Sequence, residues 1–321
     1  MAVSLKDTPQ KIIREKKRHS LLVDVGIRLI KEKPLGTIGG GIVLILFFTG
    51  IFANLLAPYG FNEISLADRL SPPTGQFVLG ADNLGRDLLS RIIYGARISM
   101  LVGLCGSLLD VTVAMLIGIT SGFFGGKFDI TVQRFVDAWM CFPPLVMYMS
   151  VMAILGPGLV QVIFVLGMVQ GVRSSRVVRS AVIGIKENIY IEAARAIGAP
   201  PSEILRRHIL PNVMAPMLII FTVAMGQMII SEATLSFLGF GIPPPMPSWG
   251  GMLSGSGRQY MLQAPWMALW PGLALSTAVY GINMLGDAVR DLLDPRLRGG
   301  LGRYGGMSQK KLQKLVEAKA S

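Results

Sequence analysis

Long stretches without charge constrain this chain more than any other feature. Residues 34–62, 138–172, 208–231 and 259–286 contain no Lys, Arg, Asp or Glu, and 98–126 contains only Asp110. A helix rising 1.5 Å per residue needs about 20 apolar residues to cross a bilayer core of roughly 30 Å. Residues 34–62, 98–126, 208–231 and 259–286 therefore each supply one span. As a single helix 138–172 would run to about 50 Å, and Gly156-Pro157-Gly158 interrupts it near the middle. It reads as two short spans, Ala138–Leu155 and Leu159–Val172. The expectation is an all-α membrane protein with six transmembrane helices and both termini on one side. A chain that is 51% hydrophobic and only 16% charged fits that class better than a soluble one.

The cations set the orientation. With the N-terminus inside, nine Lys/Arg fall in 1–33, two in 124–136, seven in 173–207 and eight in 290–321, which is 26 of 31. Arg69, Arg86, Arg91, Arg97 and Arg258 fall outside. The positive-inside rule then places both termini and the 173–207 loop in the cytoplasm. The same distribution accounts for the net charge of +12. Nucleic-acid binding is set aside, because the cations sit at membrane boundaries without aromatic interleaving or a reader motif. Cys105 and Cys141 lie in or beside apolar runs without CxxC spacing, so they read as packing residues, and no metal site is expected. The polar N-terminus is too long for a cleaved signal peptide.

The chain divides into a cytoplasmic segment 1–34, with an amphipathic elbow helix from Lys11, and a glycine-rich first span at 35–57. An extracytoplasmic segment follows at 58–96, then a five-helix core at 97–290 holding a cytoplasmic loop at 187–211, and a cytoplasmic tail at 291–321. Three constellations stand out. The loop carries Glu192-Ala193-Ala194-Arg195-Ala196-Ile197-Gly198 and, after a gap, Leu210-Pro211-Asn212. Gly198 suits a left-handed helix end, Pro200 holds Ala199 extended, and Pro201 opens a second helix over Ser202–His208. Two short helices meeting at a bend make a knob for a partner protein.

The second constellation is Leu79-Gly80-Ala81-Asp82-Asn83-Leu84-Gly85-Arg86-Asp87-Leu88-Leu89-Ser90-Arg91, closed by Tyr94 and Arg97. Asp82 is expected to cap a helix starting near Gly85. The polar stripe Arg86, Ser90, Tyr94, Arg97 suits either an outer contact surface or a set of interfacial anchors. Gly85, Asp87 and Arg91 belong to the same outer-mouth motif. Third, Asp110 lies near mid-depth and must face protein or water. Helix periodicity groups it with Gln170, Gln227 and Asn283 as a candidate cavity.

The Glu192 to Pro211 spacing resembles the EAA loop of binding-protein-dependent ABC importers, and Leu79–Arg97 resembles a signature of the dipeptide, oligopeptide, glutathione and nickel permeases of the C type. Ala81 stands where a threonine is usual. Ser231–Gly241 with Pro243–Gly250, and Gly286–Arg296, are similar to further signatures of that branch. The resemblance implies a type I ABC importer permease fold in a prokaryotic inner membrane. It implies a heterodimer with a second permease, two ATP-binding subunits carrying ATP and Mg, and an extracytoplasmic substrate-binding protein. The Glu192, Ala193, Ala194, Gly198, Leu210 and Pro211 positions would contact the ATPase, and cargo would be di- or oligopeptides, with glutathione and nickel chelates as the alternatives that share these motifs. The chain itself would hold no cofactor and no catalytic residue, and no phosphate loop, HExxH helix or GxSxG elbow is present. The alternative is an ion-coupled secondary transporter, which needs a relay of buried ionisable groups that the spans do not offer beyond Asp110.

Overall fold

The computed structural model describes residues 21–293. The polar N-terminus, the first turns of the expected elbow helix and the tail from residue 294 lie outside the described residues. The regular elements of the described chain are helices, joined by loops of which 57–87 is the longest: α1 Leu21–Glu32, α2 Pro34–Ile51, α3 Ala53–Leu56, α4 Leu88–Phe124, α5 Gly126–Met140, α6 Pro144–Leu155 and α7 Leu159–Lys186 are followed by α8 Ile189–Ala196, α9 Pro201–Ile204, α10 Leu210–Phe237, α11 Trp249–Leu253, α12 Gly255–Gln259 and α13 Trp266–Leu293. Proline opens α2, α6 and α9, where a missing N–H costs nothing.

Four helical stretches among the described residues are long and apolar enough to cross a membrane: Pro34–Ile51, Leu88–Phe124, Pro201–Phe237 and Trp266–Leu292. The bent pair α5 and α6, which meet at 88°, makes a fifth if counted as one span. The interval 138–172 breaks where expected, but its helices have other outer bounds. Residues 138–140 finish α5, and the consecutive prolines Pro143 and Pro144 delay the next helix to Pro144. The resulting α6 has 12 residues, about 18 Å at 1.5 Å per residue. After the break at Gly156-Pro157-Gly158, α7 runs without interruption past Val172 to Lys186, so its C-terminal half carries Arg173, Arg176 and Arg179.

The centre of the bundle is the pairing of α4 with α7, flanked by α10. Gly118 on α4 lets the α7 backbone come close: a Cβ there would stand 2.9 Å from the Arg179 nitrogen. Gly171 on α7 does the same in reverse, 2.9 Å from the Asp110 carbonyl oxygen. Around this seam Val102, Val165, Leu166, Val169, Met228 and Leu235 form a buried cluster, with Met152 from α6 filling a gap in it. A second pair, α2 on α13, forms a flank of the bundle. Of the glycines of the first span, Gly36 and Gly39 face α13, whereas Gly41 has nothing near it.

Candidate functional site

The 187–211 segment is built on an apolar base. Ile191 and Ala194 of α8, Ile204 of α9 and Ile209 are buried against Ala114 and Ile119 of α4, Val178 and Val182 of α7, and Val213 and Met217 of α10. The two short helices are joined by a bend whose geometry follows from Gly198. Its φ is +79°, its N–H donates to the Arg195 carbonyl, and the Ala199 N–H donates to the Ala194 carbonyl, both at 3.0 Å. This paired closure is a Schellman end, which favours glycine at the left-handed position. A Cβ at Gly198 would meet nothing within 4 Å. Glu192, Ala193, Arg195, Ala196, Ile197 and Gly198 stand on the outside.

The second half departs from expectation. The helix opened by Pro201 does not stop at His208 but continues into α10 through a wider π turn, Leu205–Ile209, in which the Leu210 N–H donates to the Leu205 carbonyl. Pro211 supplies no N–H, and the wide turn absorbs the change of register at that point. Leu210 is half-buried and Pro211 exposed at the start of the span.

A cavity of about 590 Å³ opens among α4, α6, α7 and α10. Its lining includes Asp110, Tyr148, Gln170, Ser174, Gln227 and Ser231. Three of the four residues grouped by periodicity therefore meet in one place. Asn283 does not join them: its Oδ1 stands 2.7 Å from the position of a Cβ on Gly226, at the contact of α13 with α10. Periodicity put Asn283 on a polar face of its own helix but carried no information on which neighbour that face meets.

The outer motif is turned inward. Asp82 does not cap the helix. Its Oδ1 accepts from the Leu84 and Arg86 N–H groups at 2.8 and 3.0 Å, and its Oδ2 binds Arg86 Nε at 2.7 Å with Arg91 Nε at 3.6 Å. The cap is Asp87, which accepts from the Ser90 N–H at 2.7 Å and from its hydroxyl at 2.6 Å, so α4 starts at Leu88. Gly85 takes a φ of +74° in the preceding turn. Arg91 donates to the Phe61 carbonyl at 3.0 Å, and Arg97 donates to the Gly50 carbonyl at 2.8 Å while lying over the Tyr94 ring. Arg86, Asp87, Ser90 and Arg91 are all buried. These side chains tie the 58–87 segment and the end of α2 to α4.

Residues 114–299 match the family model described as binding-protein-dependent transport system inner membrane component, and residues 20–73 match the N-terminal TM domain of oligopeptide transport permease C. The chain belongs to this permease family. The permease is 37% identical to the dipeptide transport system permease protein DppC of Alkalihalophilus pseudofirmus, over 84% of this chain and 88% of that one. It is 35% identical to the glutathione transport system permease protein GsiD of Pectobacterium atrosepticum, over 89% and 95%. It is 34% identical to the oligopeptide transport system permease protein OppC of Bacillus subtilis, over 88% and 92%. Among solved structures, a chain of the inward-facing MetNI methionine ABC transporter matches with a TM-score of 0.52 at 19% identity, over 64% of the permease and 96% of that chain. That likeness speaks for the fold alone, which is of the type I importer kind. The permease is thus a component of a binding-protein-dependent ABC importer of the inner membrane.

Two features of the permease were not singled out from its sequence. Ile189 is 83% and Ile197 85% exposed, with Tyr190 beside them. Part of the signal was present: Ile191 and Ala194 mark the buried face of α8 at i, i+3, and at 100° per residue Ile189 falls on the opposite side, whereas Ile197, the C-cap, is set apart by the turn at Gly198 and not by helix phase. The other is an ionic tie between α5 and α7. Asp129 receives Arg179 Nε at 2.6 Å and Nη2 at 2.5 Å and also accepts from Ser121, while Arg176 pairs with Asp137. The Arg179 guanidinium holds the Asp129 carboxyl below its usual range. Its members lie 50 residues apart, beyond the reach of any local pattern.

Proposed function

We propose that this chain forms half of the translocation pathway of an ATP-driven importer for di- or oligopeptides. It works beside a second permease and drives no chemistry of its own, while ATP and Mg are held by two separate ATP-binding subunits. In this reading six spans cross the membrane, with α6 and α7 as the third and fourth, and both termini are cytoplasmic. The 187–211 knob docks on the ATPase. The observation that carries the reading is the one-sided burial of α8. One face is anchored in the apolar base, and the other offers Ile189, Ala193 and Ile197 to solvent, flanked by Glu192 and Arg195. A large aliphatic side chain left 85% exposed on a charged cytoplasmic segment is what a partner's groove would cover. Peptide cargo is supported by the names of the relatives and by a cavity whose volume lies in the range that holds small ligands, about 300–1,000 Å³. Alternating access then requires the ATPase to bind the knob with different affinity in two states, because equal affinity shifts nothing.

Cross-linking tests the docking and the orientation together. With Cys105 and Cys141 replaced by serine, a cysteine introduced as Ala193→Cys is expected to be joined to the ATPase subunit by a short thiol-reactive linker. One introduced as Leu262→Cys, at a residue 94% exposed in the loop before α13, is expected to give no such product and to react with impermeant reagents from outside. Reaction of both positions from the same side of the membrane would contradict the proposed topology.

A further inference from the structure

Asp110 has an unusual environment for a carboxylate in a membrane helix. It lies within α4, 22 residues from the Leu88 end and 14 from Phe124, and the residue is 0% exposed. Neither carboxylate oxygen has a hydrogen-bond partner of ordinary geometry, and the Ser174 hydroxyl on α7 is the one side-chain donor placed to interact with it. No Lys, Arg or His lines the cavity it borders. Arg173, the nearest cation along α7 to that wall, donates instead to the Phe142 carbonyl at 3.2 Å. The other polar lining groups, Tyr148, Gln170, Ser174, Gln227, Ser231 and Thr234, are neutral. A carboxylate held in this setting lacks the counter-charge and donors that buried acids ordinarily have.

We infer that the Asp110 carboxylate is the counter-charge for a primary ammonium group on the cargo, which makes the central cavity a cation-accepting site. Three features meet this chemistry. An ammonium carries three donors and no acceptor, so it satisfies both bare oxygens at once. Gln170, Gln227 and the hydroxyls then face the remainder of the molecule with the donors and acceptors that amide groups need. The aliphatic side chains Ile219, Val223 and Ile230 leave the opposite wall free of competing charge. Because the carboxylate is covered in this conformation, the cargo reaches it only when a wall side chain rotates. The site thus belongs to a cargo-loaded state rather than to the resting cavity. That the ammonium is the amino terminus of a peptide rests on the cargo reading above; the cation-accepting character does not.

The test uses the whole importer in liposomes, with Cys105→Ser and Cys141→Ser throughout and Gln170→Cys as the reporter in the cavity. Its reaction rates with the ammonium and sulfonate forms of a small methanethiosulfonate are compared, each relative to a free thiol. With Asp110 present the ammonium reagent is expected to be favoured by about tenfold or more, the size of effect a nearby charge gives in a poorly solvated site. Asp110→Asn is expected to remove that preference and Asp110→Glu to keep it, whereas the surface reporter Leu262→Cys shows no dependence on residue 110. A preference unchanged by Asp110→Asn overturns the inference. Uptake of trialanine, whose only cation is its terminal ammonium, is the second arm, and is expected to fall about tenfold or more in Asp110→Asn and to recover in Asp110→Glu. A cation preference that depends on Asp110 in an importer that takes up no peptide would keep the site and remove the peptide reading. Peptide uptake in the absence of any such preference would do the reverse.

Discussion

Ile197→Asp in this chain is expected to release the ATPase subunits from the importer while the chain stays folded. Ile197 is 85% exposed, so little of its side chain contributes to the stability of the isolated fold, and a surface change of this kind moves stability by about 0.5 kcal/mol or less. In the docked complex the same side chain would be covered. Burying an isoleucine contributes roughly 1.5–3 kcal/mol, and each 1.4 kcal/mol or so is a factor of ten in affinity. The expected loss is therefore about 10- to 100-fold, with the desolvated aspartate adding to it. Titrating the ATPase onto immobilised permease measures this, and Ile197→Val serves as the mild comparison. Equal affinity for the wild type and Ile197→Asp would show that the exposed aliphatic face is not the docking surface.

Asp82→Ala has a different signature, a collapse of stability rather than of assembly. Arg86 and Arg91 share the Asp82 carboxylate, and the side chains of all three are no more than 10% exposed. Removing the acid leaves two guanidinium groups buried against each other, and breaking a buried pair from one side costs about 3–5 kcal/mol. The two backbone N–H groups that Asp82 accepts from, those of Leu84 and Arg86, are orphaned at the same time. Thermal unfolding of the purified chain is the readout, with the midpoint of Asp82→Ala expected far below that of wild type. Adding Arg86→Met and Arg91→Met should restore part of the loss, because the uncompensated charge rather than the missing contact is the dominant cost. Failure of the triple variant to regain any stability would contradict that assignment.

How much was legible in advance depended on the range of the interaction. Apolar run lengths located the helices near 34–51, 88–124, 210–237 and 266–293, because burial in a bilayer is a local demand on composition. The Gly198 bend was equally legible, since a Schellman end is written within six residues. Asp82 was misassigned as a cap because Asp87, five residues on, satisfies the same capping chemistry, and only the positions of Arg86 and Arg91 decide between them. The 138–172 interval broke at Gly156-Pro157-Gly158 as expected, but its outer bounds were misplaced because charge counting is blind to the Pro143-Pro144 stop. It is equally blind to the ability of α7 to carry its cations beyond the membrane on an unbroken helix. Asn283 was grouped with Asp110 by helix phase, which fixes a face but not the neighbour opposite it. Asp110, Gln170 and Gln227 met as expected because α4, α7 and α10 are mutual neighbours. The Asp129–Arg179 tie depends on the same packing and had no sequence signal of its own.

The central claim, that a knob on this chain transmits the work of a separate ATPase, is tested most directly by ATP hydrolysis in the reconstituted importer with a loaded binding protein. Wild type, Gly198→Asn and Gly198→Arg are compared in the same lipid. Gly198 sits at φ +79° with open space around a Cβ. Asparagine tolerates that conformation, whereas arginine bears a strain of roughly 1–2 kcal/mol and sets a bulky cation on the docking bend. The account predicts stimulated hydrolysis and uptake near wild type for Gly198→Asn, and loss of both for Gly198→Arg with the chain still inserted in the membrane. Full stimulation in Gly198→Arg, or cargo uptake with no ATPase subunit present, would contradict it.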